Sequence, residues 1–297
     1  MTPRIPLLCL LLVGLTLQTG LLRAATGVGM ESSLAPAAPR RLVTLAPSLT
    51  EMVFAVGAGE RLVGVDRHSD YPPQVQGLPR VGSYIHPDVE RVVALKPDLV
   101  LAVRDGTPPH LLARLQYVGI PVHVVDPRTL EGVIATLLEV GNRLGVHEAT
   151  RALAEDLGRR LARIRNLASQ ARSRPRVFFQ IGVSPLVSAG SHTLIDELIA
   201  TAGGINVAAG GPPYPRFSQE QVLALRPEVI IITTMEREGL FEQVKAGWQR
   251  WVQLPAVRQG RIHLIDSDLV DRPGPRLFDG LELVFRLLHP DLAAALP

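Results

Sequence analysis

Hydrophobic residues along the chain follow two patterns: short runs of Val, Ile and Leu, and longer stretches in which apolar residues recur every three or four positions. The short runs predict strands that are buried on both faces, and four of them are Arg41–Leu45, Val122–Val125, Arg176–Gln180 and Ile262–Ile265. The longer stretches between them predict helices. Strands that alternate with helices favour an α/β fold with parallel sheets covered on both sides.

Two of these strands lead into helices with their own start and stop signals. The start signals have the spacing of a capping box and are Ser48 with Glu51 and Thr193 with Asp196. Glycine follows each helix, at Gly57 and at Gly203, where a left-handed residue commonly ends a helix.

One segment of the chain occurs twice. Glu90–Leu101 recurs as Glu220–Ile231, with the same order of acidic, apolar and basic residues except that Arg91 corresponds to Gln221. Each copy predicts a short helix, a proline that disfavours helix in the residue before it, and a buried strand. The repeat indicates that two halves of the chain share one design.

A long amphipathic stretch runs from His147 to about Arg172, between the two repeats. Its apolar residues at helical spacing are Leu153, Leu157, Leu161, Ile164 and Leu167. A helix of this length spans roughly 40 Å, which is long enough to connect two lobes as a strut. The alternative is an ordinary surface helix.

The chain begins with features of a secretory signal: Arg4, an apolar run from Ile5 to Leu17, and the small residues Ala24 and Ala25. An uncleaved membrane anchor is the alternative, although the run is short for a bilayer. The predicted segments are a signal peptide at 1–25, a flexible leader at 26–39, a first lobe at 40–146, a connecting helix at 147–173 and a second lobe at 174–297.

The composition argues against thiol chemistry and against nucleic-acid binding. The only cysteine, Cys9, lies in the signal, so the mature chain has no disulfide and no thiolate site, as an oxidising compartment allows. The 31 basic and 28 acidic residues nearly balance, and no Lys/Arg block indicates nucleic-acid binding.

Parallel sheets bind ligands beyond the carboxyl ends of their strands. The loops expected there are rich in polar, aromatic and proline residues, and they are Asp66–Pro73, Gly82–Pro87, Arg104–Gly106, Pro212–Pro215 and Asp266–Arg276. Two sheet edges lined in this way predict a cleft.

At these residues the chain resembles the cobalamin-binding BtuF family of periplasmic binding proteins, over nearly all of the mature sequence. The most specific stretches are Ser69–Pro73, Glu90–Val100, Glu220–Ala224, and Ser267 and Asp268 with Arg272, Pro275 and Arg276. The resemblance implies two Rossmann-like lobes joined by a long rigid α-helix, the class III fold, and a periplasmic monomer that serves an ABC importer. The implied ligand is cobalamin or another corrinoid.

The resemblance also assigns residues to the ligand. The wall positions are His68, Tyr84, Val103, Val187 and Tyr214, and the polar clasp is Asp268, Leu269, Val270, Asp271 and Arg272. The best-known family member has aromatic residues at all five wall positions, whereas this chain has them only at Tyr84 and Tyr214. Arg104 is a ligand contact or a surface residue, and His68 is a polar contact or an axial ligand to the metal of the ring.

Glu90 and Glu220 have two interpretations. Glutamates near helix starts are stabilised by the helix dipole and need no other role. The resemblance implies instead that these residues, one in each lobe, dock onto arginines of the permease dimer in the membrane, where two separated charges also fix orientation.

Other classes of function remain as alternatives. A haem or ferric-siderophore binder would share the fold, and a chelatase-like enzyme is a more distant possibility. The sequence has neither a nucleophile elbow nor a phosphate-binding lysine loop, so no catalytic residue and no cofactor is assigned. A free-metal site would need His68, His86 and distant carboxylates.

Overall fold

The computed structural model describes residues 38–233 and 239–296, so the predicted signal peptide and most of the predicted leader lie outside the described residues. The first sheet has the strand order β2-β1-β5-β6, and all its pairs are parallel, as predicted. The elements that form and cover it are β1 (Leu42–Thr44), α1 (Pro47–Ala55), β2 (Leu62–Val65), β3 (Gly82–Ser83), β4 (His86–Pro87), α2 (Val89–Ala94), β5 (Leu99–Val103), α3 (Pro109–Tyr117), β6 (Val122–Val125) and α4 (Leu130–Leu144).

The second sheet has the order β11-β10-β7-β8, with β9 beside β7. Its elements are β7 (Arg176–Val183), β8 (Leu186–Ser188), α6 (Leu194–Thr201), β9 (Ile205–Asn206), α7 (Gln219–Leu225), β10 (Val229–Ile232), α8 (Gly239–Gln249), α9 (Pro255–Arg258), β11 (Ile262–Leu264) and α10 (Leu277–Leu288). The predicted parallel pairing is confirmed for β7, β9, β10 and β11, whereas β8, for which no strand is predicted, pairs antiparallel with β7. A connection of two residues, Ser184 and Pro185, allows only a hairpin.

Between the sheets lies α5 (His147–Ser169), which contacts both α4 and α10. The helix ends at Ser169, four residues before the predicted boundary at residue 173. The predicted apolar face is confirmed, since Leu157, Leu161 and Ile164 are buried.

The main hydrophobic core is continuous across both halves of the described chain. It contains residues from each sheet and from α5, among them Met52, Leu137, Ile164, Phe179 and Phe285. Two smaller clusters cover the opposite faces of the two sheets. Each sheet is therefore packed on both sides, and α5 belongs to the shared core.

The two predicted helix caps have different outcomes. Thr193 caps α6 as predicted, with its hydroxyl accepting a hydrogen bond of 3.1 Å from the Asp196 amide. The cap predicted at Ser48 and Glu51 is wrong, because α1 begins at Pro47, two residues earlier than a cap at Ser48 requires, and Ala46 occupies the N-cap position. Glu51 is consequently free to form other contacts.

The repeated segments also share an unusual backbone conformation. Lys96 and Arg226 each lie before the proline that follows α2 or α7, and both have φ of 47°. Proline disfavours the helical conformation in the preceding residue, and here that residue adopts the left-handed one. Each short helix ends in this way, which confirms the predicted stops.

Strand direction determines where ligand-facing loops can lie. In each sheet the parallel strands all end at one edge, so the segments after β1, β2, β5 and β6 meet at the first edge and those after β7, β10 and β11 at the second.

Among the residues that the structure describes, no helix is long and apolar enough to cross a membrane.

Candidate functional site

The loop after β2 is organised by a buried carboxylate. Asp66 is 1% exposed, and its Oδ1 accepts a hydrogen bond of 2.7 Å from the His68 amide. Burial raises the pKa of Asp66, and hydrogen bonds from the His68 and Tyr84 amides oppose the rise. Asp66 therefore positions the backbone of two predicted wall residues, His68 and Tyr84.

Tyr84 lies in the turn between β3 and β4 and is half-buried. Its ring covers Gly106, which has φ of +87°, so closely that a Cβ there would lie 2.6 Å from Tyr84 Cε2. Glycine at 106 thus allows the aromatic ring to lie across the loop after β5.

Tyr214 comes from the second half of the chain and is 59% exposed. Its pKa is raised, first because nearby protein displaces water and then because Asp105 and Asp271 add negative charge, while Arg128 lowers it. Tyr84 also contributes to this electrostatic environment. The fold therefore brings the two predicted aromatic residues into one region, although 130 positions separate them in the sequence.

Arg272 is the centre of an ion-pair cluster that joins the two halves. Its guanidinium lies 2.7 Å from Asp268 Oδ1, 2.7 Å from Asp70 Oδ1 and 3.1 Å from Glu51 Oε1. A further hydrogen bond of 3.3 Å goes to the His68 carbonyl. Asp268 and Arg272 pair with each other, and both also belong to a larger polar network.

Glu51 extends this network to a second arginine. Its Oε1 lies 3.4 Å from Arg276 Nη1, and the Arg276 guanidinium sits 4.2 Å from the centroid of the Tyr71 ring. Burial raises the pKa of Glu51, while Arg272 and Arg276 lower it. The sequence contains one indication that Glu51 has a special role, because Glu51 is the only charged residue in the apolar helix Pro47–Ala55.

Asp271 has the most perturbed carboxyl group of the site. Desolvation and the negative charges of Asp268 and Asp266 raise its pKa to about 7, against the opposing effect of Arg272. The residue itself is solvent-exposed.

The remaining predicted residues occupy varied positions. Val103 and Leu269 are half-buried and pack against the main core, and Val187 is half-buried in β8. Val270 is fully buried in the core, so its side chain has no surface to offer a ligand. Arg104 is exposed and lies 3.6 Å from Asp126 Oδ2.

Glu90 and Glu220 are exposed at equivalent places, in the first turns of α2 and α7. Each follows an N-cap residue, Asp88 or Ser218, whose side chain accepts a backbone hydrogen bond. A hydrogen bond with Ser218 lowers the pKa of Glu220, which keeps that carboxylate ionised.

The rest of the described chain contains little evidence for a different functional site. No group of three or more His, Cys, Asp or Glu side chains in residues 38–233 and 239–296 is arranged to hold a metal ion. A pocket of about 230 Å³ lies beside Trp248 in the second half and is lined by Gln180, Leu186, Gln219 and Val244, none of which is a predicted site residue.

Comparisons with known proteins agree with this architecture. Residues 42–269 match the periplasmic binding protein family. The chain is 35% identical to a vitamin B12-binding protein of Pectobacterium carotovorum over 81% of this chain and 85% of that protein.

Two solved structures are similar over most of their length. The periplasmic vitamin B12-binding protein BtuF of Vibrio cholerae has a TM-score of 0.76 and 30% identity, covering 86% of this chain and 98% of its own. The periplasmic haem-binding protein RhuT of Roseiflexus sp. RS-1, in its apo form, has a TM-score of 0.76 and 31% identity, covering 84% of this chain and 98% of its own.

Proposed function

This chain belongs to the periplasmic binding protein family, and we propose that it captures cobalamin or a related corrinoid between its two halves and delivers it to an ABC importer. The observation that supports the proposal is that Tyr84, Tyr214, Asp271 and Arg272 come from both halves of the chain and share one electrostatic environment. A corrin ring offers a face for aromatic contact, and its amide side chains can donate to carboxylates and accept from guanidinium groups.

The named relative binds vitamin B12, which supports a corrinoid as the ligand of this chain as well. Haem is the second candidate ligand, because the haem-binding protein RhuT has the same TM-score to this chain as BtuF has. A ferric siderophore is a third ligand that the fold would accommodate. In each case the protein binds its ligand without chemical change.

Export and docking complete the proposal. Residues 1–25 would direct the chain to the periplasm as a cleaved signal peptide, and residues 26–39 would form the leader of the mature protein. The monomer, with lobes at 40–146 and 174–297, would then meet the permease dimer through Glu90 and Glu220. Both glutamates are exposed and occupy equivalent helices, which supports a shared role.

Ligand titration tests the proposal most directly. Purified protein is titrated calorimetrically with cobalamin, haem and a ferric siderophore, and we expect cobalamin to bind with a Kd of about 1 μM or below. Calorimetry is preferred to fluorescence because Trp248 is buried and its indole already donates to Gln180 Oε1 at 2.7 Å. Binding of haem alone would reject the corrinoid and favour the second candidate.

His68 can be tested in the same samples. The residue is exposed, and its backbone carbonyl accepts a hydrogen bond from Arg272, so His68 lies next to the proposed site. If it coordinates the metal of the ring, the visible spectrum of the bound ligand shifts, and the shift disappears in His68→Ala. An unchanged spectrum in that variant would assign His68 to a polar contact.

A further inference from the structure

Glu51 combines deep burial with two cationic partners. It is 3% exposed, and its Oε1 lies 3.1 Å from Arg272 Nη1 and 3.4 Å from Arg276 Nη1. Its Oε2 is also buried and has no hydrogen-bond partner among the described residues. An ionised carboxylate is costly to bury, so its presence on an apolar helix points to a role beyond packing.

The guanidinium groups at this end of the cleft are already paired with acids. Arg272 has Glu51, Asp70 and Asp268 within 2.7 to 3.1 Å. For Arg276, Glu51 is the only carboxylate within salt-bridge distance in the described part of the chain. Without Glu51, Arg276 would lose its acidic partner and Arg272 would lose the most buried of its three.

An unpaired guanidinium in a cleft is a strong site for carboxylates, because it binds them through two parallel hydrogen bonds. A guanidinium held by protein carboxylates is no longer available, and the surrounding negative charge repels an incoming anion. Amide groups carry no charge and are not repelled. The two candidate ligands differ in this respect, since the corrin ring carries neutral amides, with a single phosphate in the nucleotide loop of cobalamin, whereas haem carries two propionates directly on its ring.

We propose that Glu51 determines specificity by withholding Arg272 and Arg276 from anionic groups, so that the cleft favours an amide-bearing ring over a carboxylate-bearing one. The inference rests on the proposed function, because it concerns the ligand of the same cleft. Glu51 acts through the two arginines and is a positioning residue.

The test compares haem and cobalamin binding by calorimetry in wild type and three variants. Glu51→Gln should lower the Kd for haem at least about tenfold and raise the ratio of haem affinity to cobalamin affinity. Asp70→Asn should act in the same direction by only about threefold, because the Asp70 side chain is 63% exposed and its pair is screened by water. Glu282→Gln breaks the ion pair with Arg160 outside the cleft and is the matched control, with no change in ratio.

Haem affinity that stays within about twofold of the control in both cleft variants would overturn the role of Glu51. Circular dichroism checks folding, and if Glu51→Gln does not fold, Asp70→Asn decides. The proposed function is tested separately, by cobalamin binding to the wild type. Its failure would leave the change in haem affinity between wild type and variants as an independent result.

Discussion

The carboxyl group of Asp271 illustrates how neighbouring side chains set the properties of one residue. In an unfolded chain its pKa would be 3.8, and in the folded protein desolvation, Asp268 and Asp266 raise it to about 7. Between these values the folded protein retains a proton that the unfolded chain has released. Asp271 therefore makes the free energy of unfolding fall as the pH rises from about 4 to about 7.

Asp271→Asn should remove this pH dependence. The full shift corresponds to about 4 kcal/mol, but the side chain is exposed, so solvent screening reduces the expected gain at pH 8 to about 1 kcal/mol. We expect Tm to rise by about 2–4 °C at pH 8 and by less at pH 4, measured by calorimetry. Glu155→Gln, on the outside of α5, is the control, and an equal effect at both pH values would contradict the prediction.

Some features of single residues could be predicted from the sequence and others could not. Tyr84, Tyr214 and Arg272 could be singled out because they lie in unusual loops that match a family pattern, and their contact with a ligand stays a prediction. The ion pairs of Glu51 could not, because its partner Arg272 is 221 positions away and the spacing to Ser48 mimics a helix cap. Local spacing describes contacts within a turn, whereas a buried ion pair depends on the whole fold.

Among the elements, the helix starts provide a matched comparison. The Thr193 hydroxyl accepts from the Asp196 amide and donates to the Gly190 carbonyl at 2.8 Å, so it satisfies two backbone groups. Ser48 lies inside the first turn of α1 and caps nothing. The same sequence spacing thus has two structural outcomes.

Thr193→Ala should destabilise the protein by about 1–2 kcal/mol through loss of the cap. Ser48→Ala should cost clearly less, because Ala46 is the N-cap of α1. Denaturant unfolding of both variants measures the difference. Equal losses would mean that the Thr193 hydroxyl has no special role as a cap.

Periodicity predicted the elements better than their ends. The apolar spacing located α5, but the helix ends four residues before the predicted boundary. The hairpin strand β8 escaped prediction because Leu186–Ser188 is only three residues long and has no buried run. Whether such a short segment forms a strand depends more on the neighbouring strand than on its own sequence.

At the scale of the whole molecule, α5 joins the two halves. It shares the continuous core with both sheets, and Arg160 on this helix pairs with Asp279 at 2.5 Å and with Glu282 at 2.7 Å on α10. A change in the angle between the halves would disrupt this packing. The structure therefore favours a small closure around the ligand.

Solution scattering with and without cobalamin measures the closure. We expect nearly superimposable profiles, with the radius of gyration changing by less than about 0.5 Å from a value near 18 Å. A protein joined by flexible strands would compact more. Compaction of several ångströms on binding would contradict a stiff connection.

The docking proposal is tested by charge reversal on both halves. Glu90→Lys combined with Glu220→Lys should abolish import of cobalamin through the reconstituted permease, because two repulsive contacts replace two attractive ones. Cobalamin affinity should remain at the wild-type value. Glu155→Lys is the control for added positive charge, and import that survives the double reversal would exclude these glutamates from docking.

A stiff α5 would affect how empty and loaded protein compete for the proposed permease. If the predicted small closure holds, the proposed docking residues Glu90 and Glu220 have the same separation whether the protein is empty or loaded. Empty carriers would then occupy the permease as readily as full ones. At a fixed amount of ligand, import through the proposed permease would be fastest when there is just enough carrier to bind that ligand, and an excess of carrier would slow delivery by competing with its own loaded form.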